Sequence, residues 1–155
     1  MRFPVALAAM AALGLFFTPV RADEKSEKLA REAVEKIFKA LKAEDIDGVM
    51  KAVSFPYYDG KELIRDSAEF KKKISNFFEN ADFTTLTFEI KEIHEFAKIK
   101  DQIKDEDKEK VNEILKDGDM VVMTSFEKDG KASKIGWGVA IRDGKAKIVG
   151  GKPSE

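Results

Sequence analysis

The sequence predicts an α+β protein in which helices come first and an antiparallel sheet follows. Up to Asn80 the apolar residues recur every three or four positions, as they do along one face of a helix. Beyond Asn80 apolar residues alternate, and Asp-Gly dipeptides at 129–130 and 143–144 mark tight turns between strands. Helices followed by such a meander of strands are typical of the α+β class.

Residues 1–22 have the features of a secretory signal peptide. A basic residue precedes an apolar run from Phe3 to Phe17, and small residues stand at the positions that signal peptidase requires. The run is shorter than the ~20 residues that a membrane-spanning helix needs. We expect cleavage after Ala22 and a secreted or periplasmic chain that starts at Asp23 and is not attached to a membrane. An uncleaved N-terminal anchor is the alternative, because Arg21 is unusual beside a cleavage site.

Composition excludes several classes of protein. The chain has no cysteine, so it has neither a lipobox for acylation nor a disulfide framework. Its 28 basic and 29 acidic residues are interspersed, without the basic stripe of a nucleic-acid binder or the basic amphipathic helix of a membrane-surface protein. Residues 23–150 have the length of one domain, and we expect residues 151–155 to be a C-terminal tail.

Three helices are predicted before the sheet. The spacing of apolar residues predicts helices over 26–43 and 44–53. A third helix begins after Asp66, which forms a capping-box motif with Glu69.

The stretch SFPYYDGKELI, residues 54–64, predicts a short β-hairpin that turns at Asp59-Gly60. Tyr57 and Tyr58 point to opposite faces if both lie in a strand. We therefore expect at most one of them to line a pocket well, where its hydroxyl would orient a ligand, and the other to cover the outside. Plain packing is an equal alternative for either tyrosine.

The sheet is predicted from residue 82 onwards. One long strand, one or two charged surface helices and three further strands follow in that order, over residues 82–96, 98–117, 120–128, 132–142 and 145–149.

The alternation in the long strand places Leu86, Phe88 and Ile90 on one face, which then continues through Glu92 and His94. His94 is the only histidine, and its predicted interior position beside Glu92 makes it the best candidate for a catalytic acid or base. The alternative is that this pair only solvates the end of the sheet. With no cysteine and a single histidine, we expect no metal site.

Large and small residues alternate in IGWGVAI, residues 135–141. Trp137 belongs to the large face, which we expect to cover the core or a pocket. Gly136, Gly138 and Ala140 form the small face, which permits the close approach of another backbone, a helix or a second subunit.

This order of elements resembles the NTF2-like superfamily, and within it the SnoaL-like and ketosteroid-isomerase-like branch. The resemblance covers nearly all of the chain after the signal segment and includes stretches such as AEDIDGVMKAVSF (43–55) and IRDSAEFKKKI (64–74). It implies a curved sheet that wraps the helices into a cone, whose open end is often a small-molecule pocket. Enzymes, ligand binders and association modules share this fold, so the fold does not choose among them.

The set of catalytic residues that this branch uses for isomerisation is absent from this sequence or rearranged, so the resemblance alone does not imply that activity. Ketosteroid-isomerase-like members use a carboxylate base after the second helix, with an oxyanion hole of a tyrosine and a protonated aspartic acid. Here Tyr57 and Tyr58 lie near the position of the base, and the nearest carboxylate, Asp59, falls in the turn. The first helix has no tyrosine.

Three hypotheses about function remain. The first is a secreted domain that binds a small apolar ligand in the cone, with Tyr57, Tyr58, Glu92 and Trp137 around it. The second is a non-enzymatic homodimeric interaction domain of the cell envelope, which dimerises through its sheet. The third is a cofactor-free SnoaL-like isomerase or dehydratase with His94 as general acid or base. None of them requires a cofactor or a metal.

Overall fold

The computed structural model describes the backbone of residues 18–154 and the side chains of residues 24–153. This part of the chain contains five α-helices, one short 3-10 helix (Lys100–Gln102) and six strands. The α-helices are α1 (Thr18–Lys42), α2 (Ile46–Ala52), α3 (Ser67–Asn80), α4 (Phe96–Ile99) and α5 (Asp105–Ile114). The strands are β1 (Val53–Tyr58), β2 (Leu63–Ile64), β3 (Thr87–Glu95), β4 (Met120–Lys128), β5 (Lys131–Arg142) and β6 (Lys145–Ser154).

The six strands form one sheet in the order β2-β1-β6-β5-β4-β3. Neighbouring strands are antiparallel except β1 and β6, which run parallel. The predicted α+β class with N-terminal helices is confirmed. The predicted antiparallel sheet gains one parallel pair, because the β1–β2 hairpin joins the edge of β6.

Both faces of the sheet are covered, and each cover makes its own hydrophobic core. The larger core lies between the first three helices and the face that we call the inner face, and it includes Val34 and Trp137. The opposite, outer face is covered by residues 96–119, which we call the outer segment. Phe96 and Leu115 of this segment belong to a second, smaller core. In every strand except β3, residues on the two faces therefore contribute to two different cores.

Aspartate side chains fix the helix starts and the hairpin turn that the sequence predicts. Asp45 caps α2 and Asp66 caps α3, each by accepting a hydrogen bond from a backbone amide, at 2.9 and 2.8 Å. At the hairpin turn, Asp59 Oδ1 accepts from the amides of Lys61 and Glu62, both at 2.9 Å. The bonds of Asp59 close the turn that follows the two tyrosines of β1.

The first long strand is shorter than predicted. β3 begins at Thr87 rather than at residue 82. Asp82 Oδ1 accepts hydrogen bonds from the amide and the hydroxyl of Thr84, which makes residues 82–84 a turn.

The predicted C-terminal tail is wrong. β6 continues to Ser154 and pairs with β5 over its whole length. Glycines at a chain end are typical of a turn or a tail, but here they permit close packing on each side of the strand. A Cβ at Gly150 would lie 3.0 Å from the backbone oxygen of Tyr58, and a Cβ at Gly151 would lie 3.1 Å from the ring of Trp137.

The predicted signal segment lies outside the described residues, apart from the start of α1 at Thr18. The expected cleavage site after Ala22 falls within α1 and stays a prediction. Over residues 18–154 we find no helix that combines the length and the apolar character needed to cross a membrane.

Candidate functional site

A cavity of about 190 Å³ lies between the helices and the inner face of the sheet, and we call it the cone cavity. Its walls are almost entirely apolar. They come from α1, α3, the inner face and the turn before β3, and they include Phe38, Leu41, Phe70, Ile74, Phe83 and Ile135. The aromatic residues of the inner core therefore do not fill the cone, and space remains for a ligand of modest size.

Tyr57 lines the cone cavity from β1. It is 8% exposed, and its ring packs against Phe70 with 4.7 Å between the ring centroids. Among the described residues its hydroxyl makes no hydrogen bond, although a buried tyrosine normally finds a partner. Burial, together with the negative charge of Asp59, raises the pKa of the Tyr57 hydroxyl far above its usual value. The group therefore stays protonated and can both donate a hydrogen bond to a ligand and accept one from it.

Trp137 also lines the cone cavity, but it differs from Tyr57 in that its polar group has a partner. Its indole nitrogen donates to Thr124 Oγ1 at 3.1 Å, so its one polar group is already paired. The ring lies edge-on to Phe38, with 5.5 Å between the ring centroids. Trp137 therefore offers a ligand an apolar surface and no free donor.

Two exposed phenylalanines lie close to the cone cavity, one in its wall and one stacked on a wall residue. Phe77 lines the cavity and is 49% exposed, and Phe88 is 37% exposed and stacks on Phe38 at 4.1 Å. Large aromatic side chains that remain in solvent are the informative exceptions on a protein surface. Because Phe77 also lines the cavity, the cavity reaches the surface beside it.

The predicted interior position of Glu92 and His94 is wrong. The register of β3 on β4 shifts between Ile90 and Glu92, so Lys91 is the extra residue of a β-bulge. Ile90 before the bulge and Ile93 after it both face the inner core, which turns Glu92 and His94 to the outer side.

The Glu92–His94 pair does not line the cone cavity. It does not line the second cavity either, which lies on the outer face and is described below. The His94 side chain is 38% exposed, and its Nε2 lies 2.7 Å from Glu92 Oε2. The catalytic hypothesis for His94 required an inner position that this residue does not occupy.

Tyr58 points away from Tyr57, as strand alternation requires, but it does not simply cover the outside. It lines a second cavity of about 170 Å³ between the outer face and the outer segment, which we call the outer cavity. The expectation that only one tyrosine lines a pocket was wrong, because residues 96–119 roof the outer face. Tyr58 donates a hydrogen bond of 2.5 Å to Asp107 Oδ1, and Lys152 pairs with the other oxygen of that carboxylate.

The small face of β5 packs against a helical segment of the same chain. A Cβ at Gly138 would lie 3.2 Å from Cδ1 of Leu115, which follows α5 directly. Of the alternatives open for this face, the close approach of a helical segment is the one that the structure contains. A homodimer stays a prediction.

Asp59 does not have the environment of a catalytic base. Burial acts to raise the pKa of its carboxyl, but the hydrogen bonds from the amides of Glu62 and Lys61, together with Lys73, outweigh burial, so the pKa lies below its ordinary value. Such a carboxylate serves the turn. No three acidic or histidine side chains converge as metal ligands anywhere in residues 24–153.

Comparison with known proteins identifies the fold. No protein-family model and no curated protein matches the sequence. Among solved structures, the protein Rd1NTF2_05, in a variant with five substitutions, is similar with a TM-score of 0.54 and 14% identity, over 83% of this chain and 98% of that one. An NTF2-like protein of unknown function from Shewanella oneidensis MR-1 has a TM-score of 0.53 and 15% identity over the same shares.

A protein of unknown function with a cystatin-like fold from Nostoc punctiforme is also similar, with a TM-score of 0.53 and 9% identity over 82% of this chain and 88% of that one. Identities this low establish the fold and leave the function open. The chain has the NTF2-like fold, which confirms the resemblance at that level. The SnoaL-like branch stays a prediction.

Proposed function

We propose that this protein is an NTF2-like binding domain that takes a small, largely apolar ligand in the cone cavity, without turnover. The observation that carries the proposal is the Tyr57 hydroxyl, which is buried in an apolar cavity without a partner among the described residues. Ligand sites generally combine apolar walls with a few well-placed polar groups. An unpaired buried hydroxyl costs stability, and a ligand group that bonds to it removes that cost.

The size of the cavity limits the ligand. A dry apolar cavity of about 150 Å³ is large enough for benzene. The cone cavity, at about 190 Å³, therefore suits a single ring with one or two further non-hydrogen atoms. The ligand needs one group that donates to or accepts from the Tyr57 hydroxyl.

Phenol and toluene form a matched pair of probes, because they have the same size and differ only in a hydroxyl or a methyl group. Trp137 is the only tryptophan and lines the cone cavity, so its fluorescence reports binding there. We expect both probes to bind saturably. In Tyr57→Phe the ratio of the phenol to the toluene dissociation constant should rise about fivefold, since one neutral hydrogen bond is lost.

Two results would contradict the proposal: neither probe saturates the Trp137 signal, or the ratio is the same in the wild type and in Tyr57→Phe. A variant that fills the cavity without adding a second tryptophan, Ile74→Phe, should abolish both responses.

Export is a separate proposal that rests on residues 1–22 alone. N-terminal sequencing of the protein from the periplasm or medium should give Asp23 as the first residue. Recovery of the intact N-terminus would favour the anchor.

A further inference from the structure

The outer cavity has the composition of a ligand site as well. Its floor is the glycine-rich outer face of β5 and β6, and its apolar walls come from the outer segment and β4, including Ile103, Val111 and Val121. At one end lie the side chains of Tyr58, Asp107 and Lys152. Apolar walls with polar groups at one end are the usual composition of a small-molecule pocket.

The polar end has unused hydrogen-bonding capacity of both kinds. The one proton of Tyr58 is donated to Asp107 Oδ1, and one proton of Lys152 pairs with Asp107 Oδ2. A lysine ammonium has three protons, so two donors of Lys152 remain within the described part of the chain. The Asp107 carboxylate, which has about four acceptor sites, retains free lone pairs.

The charges at this end favour a neutral ligand. Asp107 is 7% exposed and is held by Lys152, so the two charges offset each other. Lys110 lies 5.8 Å from the centre of the Tyr58 ring, but it donates to the backbone oxygen of Lys61 at 2.7 Å. An added carboxylate would be repelled by the negative charge of the buried Asp107.

The outer cavity can be reached from solvent. It shares Ile103, Asp107 and Lys152 with a wider surface cleft, which continues between Glu106 and Pro153. A ligand can enter beside the Lys152 ammonium without unfolding the outer segment.

We propose that the outer cavity is a second binding site, independent of the cone cavity, for a neutral single-ring molecule that carries a carbonyl group, a primary amide being the best match. The carbonyl oxygen accepts from Lys152, and the amide nitrogen donates to Asp107. At about 170 Å³ the cavity holds one ring with its substituent.

Benzamide and benzoate test this proposal, because they share one shape and differ in charge. We expect benzamide to shift the backbone amide signals of Gly136, Gly138 and Gly150 in NMR spectra of the protein. Its dissociation constant, measured from these shifts, should be lower than that of benzoate. Trp137 fluorescence shows separately whether the cone cavity is occupied. Asp107→Asn keeps an acceptor for Tyr58 and removes the negative charge. The affinity for benzoate should therefore rise about tenfold relative to the affinity for benzamide.

Val111→Phe provides a second test that does not touch the polar end. It should fill the outer cavity and abolish the glycine shifts while the response of Trp137 to phenol is retained. The proposal is overturned if benzamide leaves the three glycines unshifted in the wild type, if Val111→Phe leaves the shifts intact, or if the benzamide to benzoate ratio is the same in Asp107→Asn.

Discussion

Tyr57 and Tyr58 are neighbours in β1, yet their side chains line two different cavities on opposite faces of the sheet. The Tyr57 hydroxyl has no partner among the described residues, whereas the Tyr58 hydroxyl is bonded to Asp107 at 2.5 Å. The two tyrosines should therefore respond in opposite ways to the loss of the hydroxyl.

Tyr57→Phe is expected to raise the free energy of unfolding by about 1 kcal/mol, because it removes a buried polar group that lacks a partner. Tyr58→Phe should lower it by about 2 kcal/mol, because the ionised Asp107 carboxylate loses a donor. Urea unfolding of the two variants beside the wild type measures both values. Equal losses in the two variants would show that the Tyr57 hydroxyl is satisfied in the folded protein.

Asp107 should make the stability depend on pH at the acid end. Burial acts to raise its pKa, but the hydrogen bonds from Lys152 and Tyr58 outweigh burial, so the pKa lies below its ordinary value in the folded state. Such a group stabilises the fold fully above its unfolded pKa of about 3.9, and the contribution is lost as the pH falls through the lower folded pKa.

The matched comparison for Asp107 is with Asp107→Asn. Lys152, Tyr58, Lys110 and Glu106 surround this carboxyl and are the same in both proteins. We expect a constant difference in unfolding free energy, of about 1 kcal/mol, between pH 5 and 7, and a difference that shrinks below pH 4. A difference that stays constant down to pH 2 would contradict the lowered pKa.

Among the carboxylates of the outer segment, Asp119 is expected to cause the largest loss of stability when it is replaced by alanine. It is fully buried, and its oxygens accept from the amides of Lys116 and Ile141, at 2.8 and 2.9 Å, and from the guanidinium of Arg142. Asp119→Ala leaves these donors unpaired and should cost about 3 kcal/mol. The control is Asp117→Ala, whose exposed side chain should change the stability by less than about 0.5 kcal/mol.

His94→Gln should leave ligand binding unchanged. The histidine lies on the outer side of β3 and lines neither cavity, and an exposed pair such as Glu92–His94 contributes about 1 kcal/mol or less. The phenol dissociation constant of the variant should stay within about twofold of the wild type. A loss of phenol binding would restore His94 as a candidate in the cone.

The fold could be predicted from the sequence because its signals are local. The helical spacing before residue 80, the Asp66 cap and the Asp-Gly turns each act within a few residues, and the structure contains all of them. The alternation in β5 also predicted that Trp137 faces the core and that Gly136 and Gly138 lie on the opposite face, as they do in the structure.

The predictions that were wrong concern features that depend on residues distant in the sequence. The bulge at Lys91 is set by pairing with β4, and it reverses the side to which His94 points. The glycines after Val149 lie in a strand that packs closely against Tyr58 of β1 and against Trp137, where a larger residue would not fit. Asp107 and Lys152 are 45 residues apart, so no local pattern could join them to Tyr58 in one site.

The most direct test of the cone as a ligand site is a crystal structure of the protein with phenol. We predict a phenol ring between Trp137 and Phe70, with its oxygen about 2.7 Å from the Tyr57 hydroxyl. A cone closed by its own side chains, or a phenol whose hydroxyl points to the mouth beside Phe77 and away from Tyr57, would contradict this prediction.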